Sequence, residues 1–204
     1  MIIGPKFKIC KRLGGAVFEK CQTQKFTLVE ARKKTTGGRG KRQGAASDYK
    51  RQLIEKQKMR YMYGLSETQL SRYVDESIEK SDNPSHALMT RLESRLDNVV
   101  YRLGLARTRR LARQMVSHGH ITVNGRKVTV PSYLVVQNQQ VAVRDGSKES
   151  VLFQSIREEG DDGRVPVWLS FDRKALAGSV TAVPSYDAHE LLFDLEQVFE
   201  YYSR

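Results

Sequence analysis

Hydrophobic residues between positions 91 and 130 recur first at three- and four-residue intervals and then at every second position. The helical spacing predicts two helices separated by a short loop. Gly104 would end the first helix, because glycine adopts the left-handed conformation of a helix end most easily, and Thr108 would cap the second. The predicted buried residues are Leu92, Leu96, Val99, Val100 and Leu103 in the first helix and Leu111, Met115 and Val116 in the second.

The alternating residues that follow predict a β-hairpin. Ile121 and Val123 lead up to Asn124-Gly125, and Val128 and Val130 lead away from it. Asn-Gly favours a type I′ turn, because both residues tolerate a positive φ. This turn places Ile121 opposite Val128, so one face of the hairpin would cover the two helices.

Helical patterns precede this stretch. Ser47 can cap a helix that runs to about Tyr63, and Ser66 with Gln69 forms a capping-box pattern at the start of a second helix. Pro84 marks the break after that helix, because a proline disfavours helical backbone at the residue before it.

Strand and helix patterns follow the hairpin. Val141 and Val143 alternate as a strand, and residues 165–171 predict another, with Pro166 favouring an edge position. An isolated amphipathic helix is marginal in water, so the last helix should pack on the apolar side of the helices in residues 47–80. The stripe of that last helix comprises Leu191, Leu192, Leu195, Val198, Phe199 and Tyr202.

Charge is distributed unevenly along the chain, whose formal net charge is +12. Residues 1–60 hold seventeen Lys and Arg against four Asp and Glu, and residues 91–130 hold nine against two. The segments 61–90 and 131–204 are mildly acidic. Two basic blocks separated in this way predict a protein with one side that faces a polyanion.

Arginines at the predicted start of the second helix favour phosphate as the ligand. Arg109 and Arg110 lie where the backbone N–H groups of the first turn lack helical partners, so both kinds of donor would point the same way. Arg126 and Lys127 would add a basic hairpin tip. The sequence lacks an apolar run long enough to span a bilayer and an amphipathic helix with a broad aromatic face. We therefore expect a cytoplasmic protein that binds nucleic acid and no membrane.

Several motifs resemble the family of the bacterial small-subunit ribosomal protein number four. RLDNVVYRLG (95–104), TR (108–109) and ARQMVSHGHITVNG (112–125) are similar to the RNA-binding domain of that family. The resemblance extends, in order, over nearly the whole chain. Its further motifs are Gly4-Pro5-Lys6, Ser47-Asp48-Tyr49, Glu55-Lys56-Gln57-Lys58 and Glu200-Tyr201-Tyr202-Ser203-Arg204.

The resemblance implies a structural protein of the small ribosomal subunit. Such a protein would bind small-subunit ribosomal RNA at a multi-helix junction, nucleate assembly of the subunit body and contribute to translational accuracy. The implied partners are that RNA, ribosomal protein number five of the same subunit, and messenger RNA near its entry path. Shape and phosphate recognition at a junction require a rigid basic surface, which agrees with the charge pattern.

The predicted fold class is α+β, with a mainly helical domain formed by the N- and C-terminal parts of the chain. Residues 47–90, completed by residues 172–204, would form the helical domain. A helix-loop-helix plus β-hairpin RNA-binding domain with a small sheet, residues 91–171, would be inserted into it. Residues 1–46 would be a basic, partly disordered extension that tracks RNA and becomes ordered against phosphates; the alternative is a disordered basic tail.

Basic and hydrogen-bonding side chains of these segments are the expected RNA contacts. Asp97 is expected to orient an arginine of the next helix, because an unpaired acid would repel RNA; the alternative is an exposed acid with no such role. The predicted RNA-binding residues are Lys6, Lys8, Lys11, Arg12, Lys41, Arg42, Tyr49, Lys50, Arg51, Lys56, Lys58, Arg60, Arg95, Asn98, Arg102, Thr108, Arg109, Arg110, Arg113, Gln114, Ser117, His118, Asn124, Gly125, Arg126 and Lys127.

No metal, cofactor or catalytic site is expected. Some members of the resembled family hold zinc with four cysteines in the N-terminal segment, whereas this chain has only Cys10 and Cys21 and no histidine before His86. A closed zinc site needs four ligands, so two reduced thiols are the better interpretation. The alternative function is an RNA-modifying enzyme or ribosome-associated factor that carries the same RNA-binding module. Residues 1–90 and 150–204 are too short to supply a separate catalytic domain.

Overall fold

The chain forms two compact units, one made of residues 1–85 with 187–204 and the other of residues 86–186. The first unit is helical, and the second combines helices with an antiparallel sheet, which confirms the predicted α+β class. The computed structural model describes residues 3–35, 47–158, 165–186 and 191–203.

Serine caps set the start of two helices in the first unit, as the sequence predicted. The N–H group of Lys50 donates to Ser47 Oγ (3.4 Å), and that of Gln69 donates to Ser66 Oγ (3.2 Å). The described helices of this unit are α1 (Lys6–Leu13), α2 (Gln24–Thr35), α3 (Asp48–Met62), α4 (Glu67–Lys80) and α9 (Leu195–Tyr202).

The C-terminal helix α9 packs on α3 and α4, the partners predicted for it. Gln52 Nε2 donates to Glu200 Oε2 (2.8 Å), and the Tyr202 hydroxyl donates to Glu67 Oε1 (2.9 Å). These bonds join segments more than a hundred residues apart in the chain, so the two ends of the sequence form one unit.

Residues 3–35 are folded, whereas the sequence predicted that residues 1–46 form a basic, partly disordered extension. Apolar residues from α1, from the 3₁₀ turn Glu19–Cys21 and from α2 form a small core against α3. These residues are sparse but recur at helical spacing, and α3 supplies the surface that they need. The core comprises Cys10, Leu13, Val17, Phe18, Cys21 and Phe26, packed against Ile54, Tyr61 and Met62. The glycine-rich stretch 36–46 lies outside the described residues.

The second unit contains a five-stranded antiparallel sheet whose apolar residues share one core with residues of several helices. The strand order is β2-β1-β3-β5-β4. The helices are α5 (Pro84–Glu93), which begins two residues before the unit, α6 (Leu96–Arg102), α7 (Arg109–Ser117) and α8 (Val151–Glu158). The strands are β1 (Ile121–Val123), β2 (Arg126–Lys127), β3 (Gln140–Val143), β4 (Leu169–Asp172) and β5 (Ala177–Val180).

The hairpin of β1 and β2 has the predicted register. Thr122 pairs with Lys127, and the N–H group of Val128 donates to the Ile121 carbonyl (3.3 Å). Asn124 and Gly125 both have positive φ (48° and 76°), as a type I′ turn requires. Apolar residues of β1 join those of α6 and α7 in one core, so the hairpin covers the two helices.

The single helix predicted over residues 91–103 is wrong, because the chain breaks between α5 and α6. Arg95 has extended backbone (φ −66°, ψ 138°) and forms an isolated β-bridge with Leu134. The N–H group of Leu96 donates to the Tyr133 carbonyl (2.8 Å), and that of Val135 donates to the Ser94 carbonyl (2.8 Å). A distant segment therefore supplies the backbone partners that a continuous helix would have supplied locally.

The unit that contains the sheet extends to residue 186, whereas the sequence boundary was 171. β5 pairs with both β3 and β4, so a boundary at 171 would cut the hairpin of β4 and β5. Gly178 allows this packing, since a side chain there would overlap Leu103, which follows α6, and the Ser170 carbonyl. β4 is an edge strand, as Pro166 indicated.

Two predicted elements begin later than their periodicity indicated. The last helix begins after Asp194, not at Leu191, because the Asp194 carboxylate accepts hydrogen bonds from the first N–H groups of α9. The strand predicted from Val165 begins at Leu169, and Val167 is 97% exposed. The alternation of apolar residues therefore begins before the part of the chain that pairs as a strand.

Candidate nucleic-acid interface

Helix α7 separates an apolar face from a basic one. Ala112, Met115 and Val116 are buried in the core, and Thr108 caps the helix by accepting a hydrogen bond from the Leu111 N–H group (3.1 Å). The predicted cap is thus confirmed. On the other side Arg109 and Arg113 are half-buried, and the exposed residues are Arg110, Gln114, Ser117 and His118.

The hairpin tip lies beside the end of α7. Lys127 covers Gly119, where a side chain would overlap its aliphatic part. Asn124 is tied to β3: its N–H group donates to the Gln140 carbonyl (2.8 Å) and its Oδ1 accepts from the Gln140 N–H group (2.8 Å). Gly125 and Arg126 are exposed. The structure therefore brings α7 and the tip together, and we call them the α7–hairpin surface (residues 109–118 and 124–127).

Arg95 is internal, which corrects its assignment as an RNA contact. Its side chain is fully buried, with Nε 3.0 Å from Asp97 Oδ1 and Nη2 2.7 Å from Asp97 Oδ2. Arg113 Nη1 lies 3.6 Å from the same Oδ2. Asp97 is 4% exposed, so the alternative of an exposed acid is wrong. This carboxylate connects a buried arginine to an arginine of the basic surface.

Asn98 is also buried, and the positive charge of Arg102 is compensated by an ion pair. Asn98 is 1% exposed and cannot reach RNA in this conformation. Arg102 forms a bidentate ion pair with the buried Glu93, with Nε 2.8 Å from Oε2 and Nη2 3.0 Å from Oε1. Its guanidinium is partly accessible, but its charge is compensated by Glu93 inside the protein.

His120 stands next to His118 at the end of the α7–hairpin surface. The centres of the two imidazole rings are 6.1 Å apart, and His120 Nδ1 lies 3.0 Å from Ser147 Oγ. Burial lowers the pKa of His120, and the positive charges of His118, Arg144 and Lys127 lower it further. The lowered pKa favours the neutral form of His120.

In the first unit, α1 presents exposed cations. Lys8, Lys11 and Arg12 are exposed, which leaves them accessible to a polyanion. Lys6 is half-buried, with its Nζ 5.7 Å from the centre of the Phe18 ring. Lys41 and Arg42 lie outside the described residues.

On α3 most predicted contacts are engaged by acids. Lys50 and Tyr49 are exposed, and Tyr49 lies against Tyr201 (5.8 Å between ring centres). The remaining cations form ion pairs of Arg51 with Asp48, of Lys58 with Glu55 (2.7 Å) and of Arg60 with Glu67 (3.1 Å).

Lys56 is buried, which corrects its assignment as an RNA contact. Only 4% exposed, it donates to Glu67 Oε1 (2.7 Å) and lies 4.2 Å from the centre of the Tyr201 ring. Burial alone would raise the pKa of Glu67, but hydrogen bonds from Lys56, Tyr202 and Arg60 together lower it. Lys56 thus links α3, α4 and α9.

Sequence reasoning missed three residues around this interface. Glu93 holds Arg102 and Asn98, Tyr101 lies under the Arg109 guanidinium (4.4 Å), and exposed Arg144 lies next to His120. The role of Glu93 could have been predicted from the sequence in the same way as that of Asp97, because an acid inside so basic a motif is expected to pair with an arginine. Arg144 could be found only from the pairing of β3 with β1.

Cys10 and Cys21 are unpaired, buried thiols. Burial, together with a hydrogen bond and charge interaction with Cys10, raises the pKa of Cys21 to about 12. No group of three or more potential metal ligands occurs in the part of the chain that the structure describes. None of the described helices has the length and apolar character needed to cross a membrane.

Comparison with known proteins agrees with this geometry. Residues 1–93 match the model of the ribosomal protein S4/S9 N-terminal domain, and residues 94–141 match that of the S4 domain. The chain is 42% identical to the small ribosomal subunit protein uS4 of Persephonella marina and 39% identical to that of Halothermothrix orenii, covering 98% of both chains in each case. It is 41% identical to uS4 of Koribacter versatilis, covering 97% of this chain and 96% of the relative.

The fold and the α7–hairpin surface therefore define an S4-type RNA-binding module attached to a second, helical unit. The chain belongs to the uS4 family of small ribosomal subunit proteins. Family membership confirms the predicted resemblance and the prediction of a non-catalytic protein. The relatives are named as small ribosomal subunit proteins, which favours the ribosomal assignment over the alternative of an RNA-modifying enzyme.

Proposed function

We propose that this protein is a structural constituent of the small subunit of the cytoplasmic ribosome and binds small-subunit ribosomal RNA at a multi-helix junction. The observation that carries the proposal is the α7–hairpin surface within a matched S4 domain. Here exposed cations lie on a helix and a hairpin that are both fixed to one core. A rigid basic surface of this kind suits phosphates held in the fixed geometry of folded RNA.

We further propose that exposed cations of α1 and α3 contact the same RNA and that the protein nucleates assembly of the subunit body. Lys8, Lys11, Arg12 and Lys50 are the accessible candidates in the first unit. An early binder must recognise RNA without help from neighbouring proteins, and two folded units with accessible basic residues meet that requirement. Residues 41 and 42 remain part of the proposed contact set by charge alone.

A neighbouring protein, ribosomal protein number five, is the proposed partner of an acidic surface. Helix α4 exposes Asp75 and Glu79 beside Arg72 and Lys80, and its two carboxylates suit contact with cations of a basic protein. Contribution to translational accuracy and contact with messenger RNA near its entry path belong to the same proposal. They rest on family membership.

The test is binding to small-subunit ribosomal RNA, followed by chemical footprinting. We expect the purified protein to protect nucleotides at one multi-helix junction and to co-sediment with small subunits. A competitor of unrelated duplex RNA at the same phosphate concentration should not remove the footprint. Protection spread evenly along the RNA would contradict junction recognition, and detectable methylation or pseudouridylation of that RNA would contradict a purely structural role.

A further inference from the structure

Asn98 connects a buried carboxylate to an arginine of the α7–hairpin surface. Its Nδ2 donates to Glu93 Oε2 (2.9 Å) and to the Glu93 carbonyl (3.1 Å), and its Oδ1 accepts from Arg109 Nε (2.8 Å). A carboxylate can only accept and a guanidinium can only donate, so the amide has one possible orientation between them. The chain Glu93–Asn98–Arg109 is therefore directional.

Glu93 fixes the amide from a rigid position. It is 1% exposed, and its two carboxylate oxygens also receive the bidentate ion pair of Arg102. The carboxylate is thus charge-compensated by Arg102, and its bond to Asn98 serves to hold the amide. Asn98 itself is neutral, so its bond to Arg109 orients that guanidinium without cancelling the charge.

Tyr101 gives Arg109 a second support. The guanidinium carbon lies 4.4 Å from the centre of the Tyr101 ring, a distance typical of a cation–π contact. Nε is held by Asn98 and one face is covered by the ring, so the side chain is ordered before any ligand binds. Ordering a long side chain in advance reduces the entropy lost on binding.

We propose that Asn98, held by Glu93, is a positioning residue that presents Arg109 to a phosphate of the bound RNA. The inference rests on the proposed RNA-binding function and assigns separate roles to Asn98, which positions, and Arg109, which contacts the phosphate. Arg109 is a preorganised contact. Its neighbour Arg110 is exposed on the same turn, and the hydrogen bond that Asn98 accepts from an arginine of this turn comes from Arg109. Asn98 therefore strengthens RNA binding only through Arg109.

A double-mutant cycle on affinity for a small-subunit ribosomal RNA transcript tests the proposal. We expect Arg109→Ala to weaken binding about tenfold and Asn98→Ala about fivefold, magnitudes appropriate to one contact and to the loss of its preorganisation. The double variant should bind no more weakly than Arg109→Ala alone. The matched control combines Asn98→Ala with Arg110→Ala, where the two losses should multiply.

Folding is measured separately, since Asn98 is buried. If Asn98→Ala is unfolded at the binding temperature, Tyr101→Leu replaces it, because that change removes the other support of Arg109 and keeps apolar volume. If the affinity losses of Asn98→Ala and Arg109→Ala multiply in the double variant, the positioning role is overturned. It is also overturned if Arg109→Ala keeps full RNA affinity while Arg110→Ala binds more weakly. Full affinity in Arg109→Ala, Arg110→Ala and Arg126→Ala alike would instead overturn the proposed RNA-binding surface itself.

Discussion

Helix α3 and helix α7 carry similar runs of cations but differ in the charge that they leave available. On α3, Arg51, Lys58 and Arg60 each pair with a carboxylate. On α7, Arg113 also lies near a carboxylate, that of Asp97, but Arg110 is exposed and Arg109 Nε donates to the neutral amide of Asn98. Both runs read as basic in the sequence. The nature of the groups that hold each cation decides whether it can meet a phosphate.

The largest effect on the arginines near α7 is expected from Asp97→Asn. Arg95 is fully buried, and the substituted amide would place a donor against its Nη2, so we expect the free energy of unfolding to fall by about 3 kcal/mol. RNA affinity should fall as well, although the net charge becomes more favourable, because Arg113 loses its anchor. Chemical denaturation and RNA titrations over a salt series measure the two effects. Asp75→Asn on exposed α4 is the control, and a gain in affinity in Asp97→Asn would rule out the orienting role.

A smaller effect separates two lysines of α3. Lys56→Met removes the bond to Glu67 and the contact with Tyr201, so we expect a loss of about 1–2 kcal/mol in unfolding free energy and nearly unchanged RNA affinity. Lys50→Met should behave in the opposite way, since Lys50 is exposed. Thermal denaturation and filter binding of the two variants check the reversal. Equal effects of the two changes on affinity would show that burial does not remove Lys56 from the interface.

The pH dependence of the first unit should be weaker still. Hydrogen bonds lower the folded-state pKa of Glu67, so ionised Glu67 stabilises the fold above the ordinary glutamate pKa. That contribution is lost as the pH falls through the lowered folded-state pKa. We expect the stability difference between the wild type and Glu67→Gln to be present at pH 7 and to shrink at acidic pH. Denaturation curves from pH 7 to about pH 3 measure it, and a difference that grows on acidification would contradict this assignment.

Short-range chemistry made much of this fold predictable. The caps at Ser47, Ser66 and Thr108 and the turn at Asn124-Gly125 depend on residues within three or four positions, and each was predicted correctly. The apolar periodicity also placed most helices. Sequence patterns of this kind are reliable because the interacting groups are close along the chain.

The incorrect predictions share a different cause. The break before α6 depends on backbone partners in residues 131–135, and the burial of Lys56 depends on Glu67 and on Tyr201 at the far end of the chain. Arg95 was assigned to RNA by its charge, but its Nε and Nη2 both donate to Asp97 inside the core. Charge counts could not show these results, because they depend on the tertiary structure.

The most direct test of the central claim is the salt dependence of binding to small-subunit ribosomal RNA. Each neutralised phosphate should contribute about −0.7 to −0.9 to the slope of log affinity against log salt, and the whole surface about six to ten contacts. Arg110→Ala should lower the slope by nearly one unit with an unchanged melting temperature. Arg72→Ala on α4 makes the same charge change on an exposed arginine paired with Glu76 and should leave the slope unaltered. Equal slopes for wild type and Arg110→Ala would contradict phosphate binding by the α7–hairpin surface.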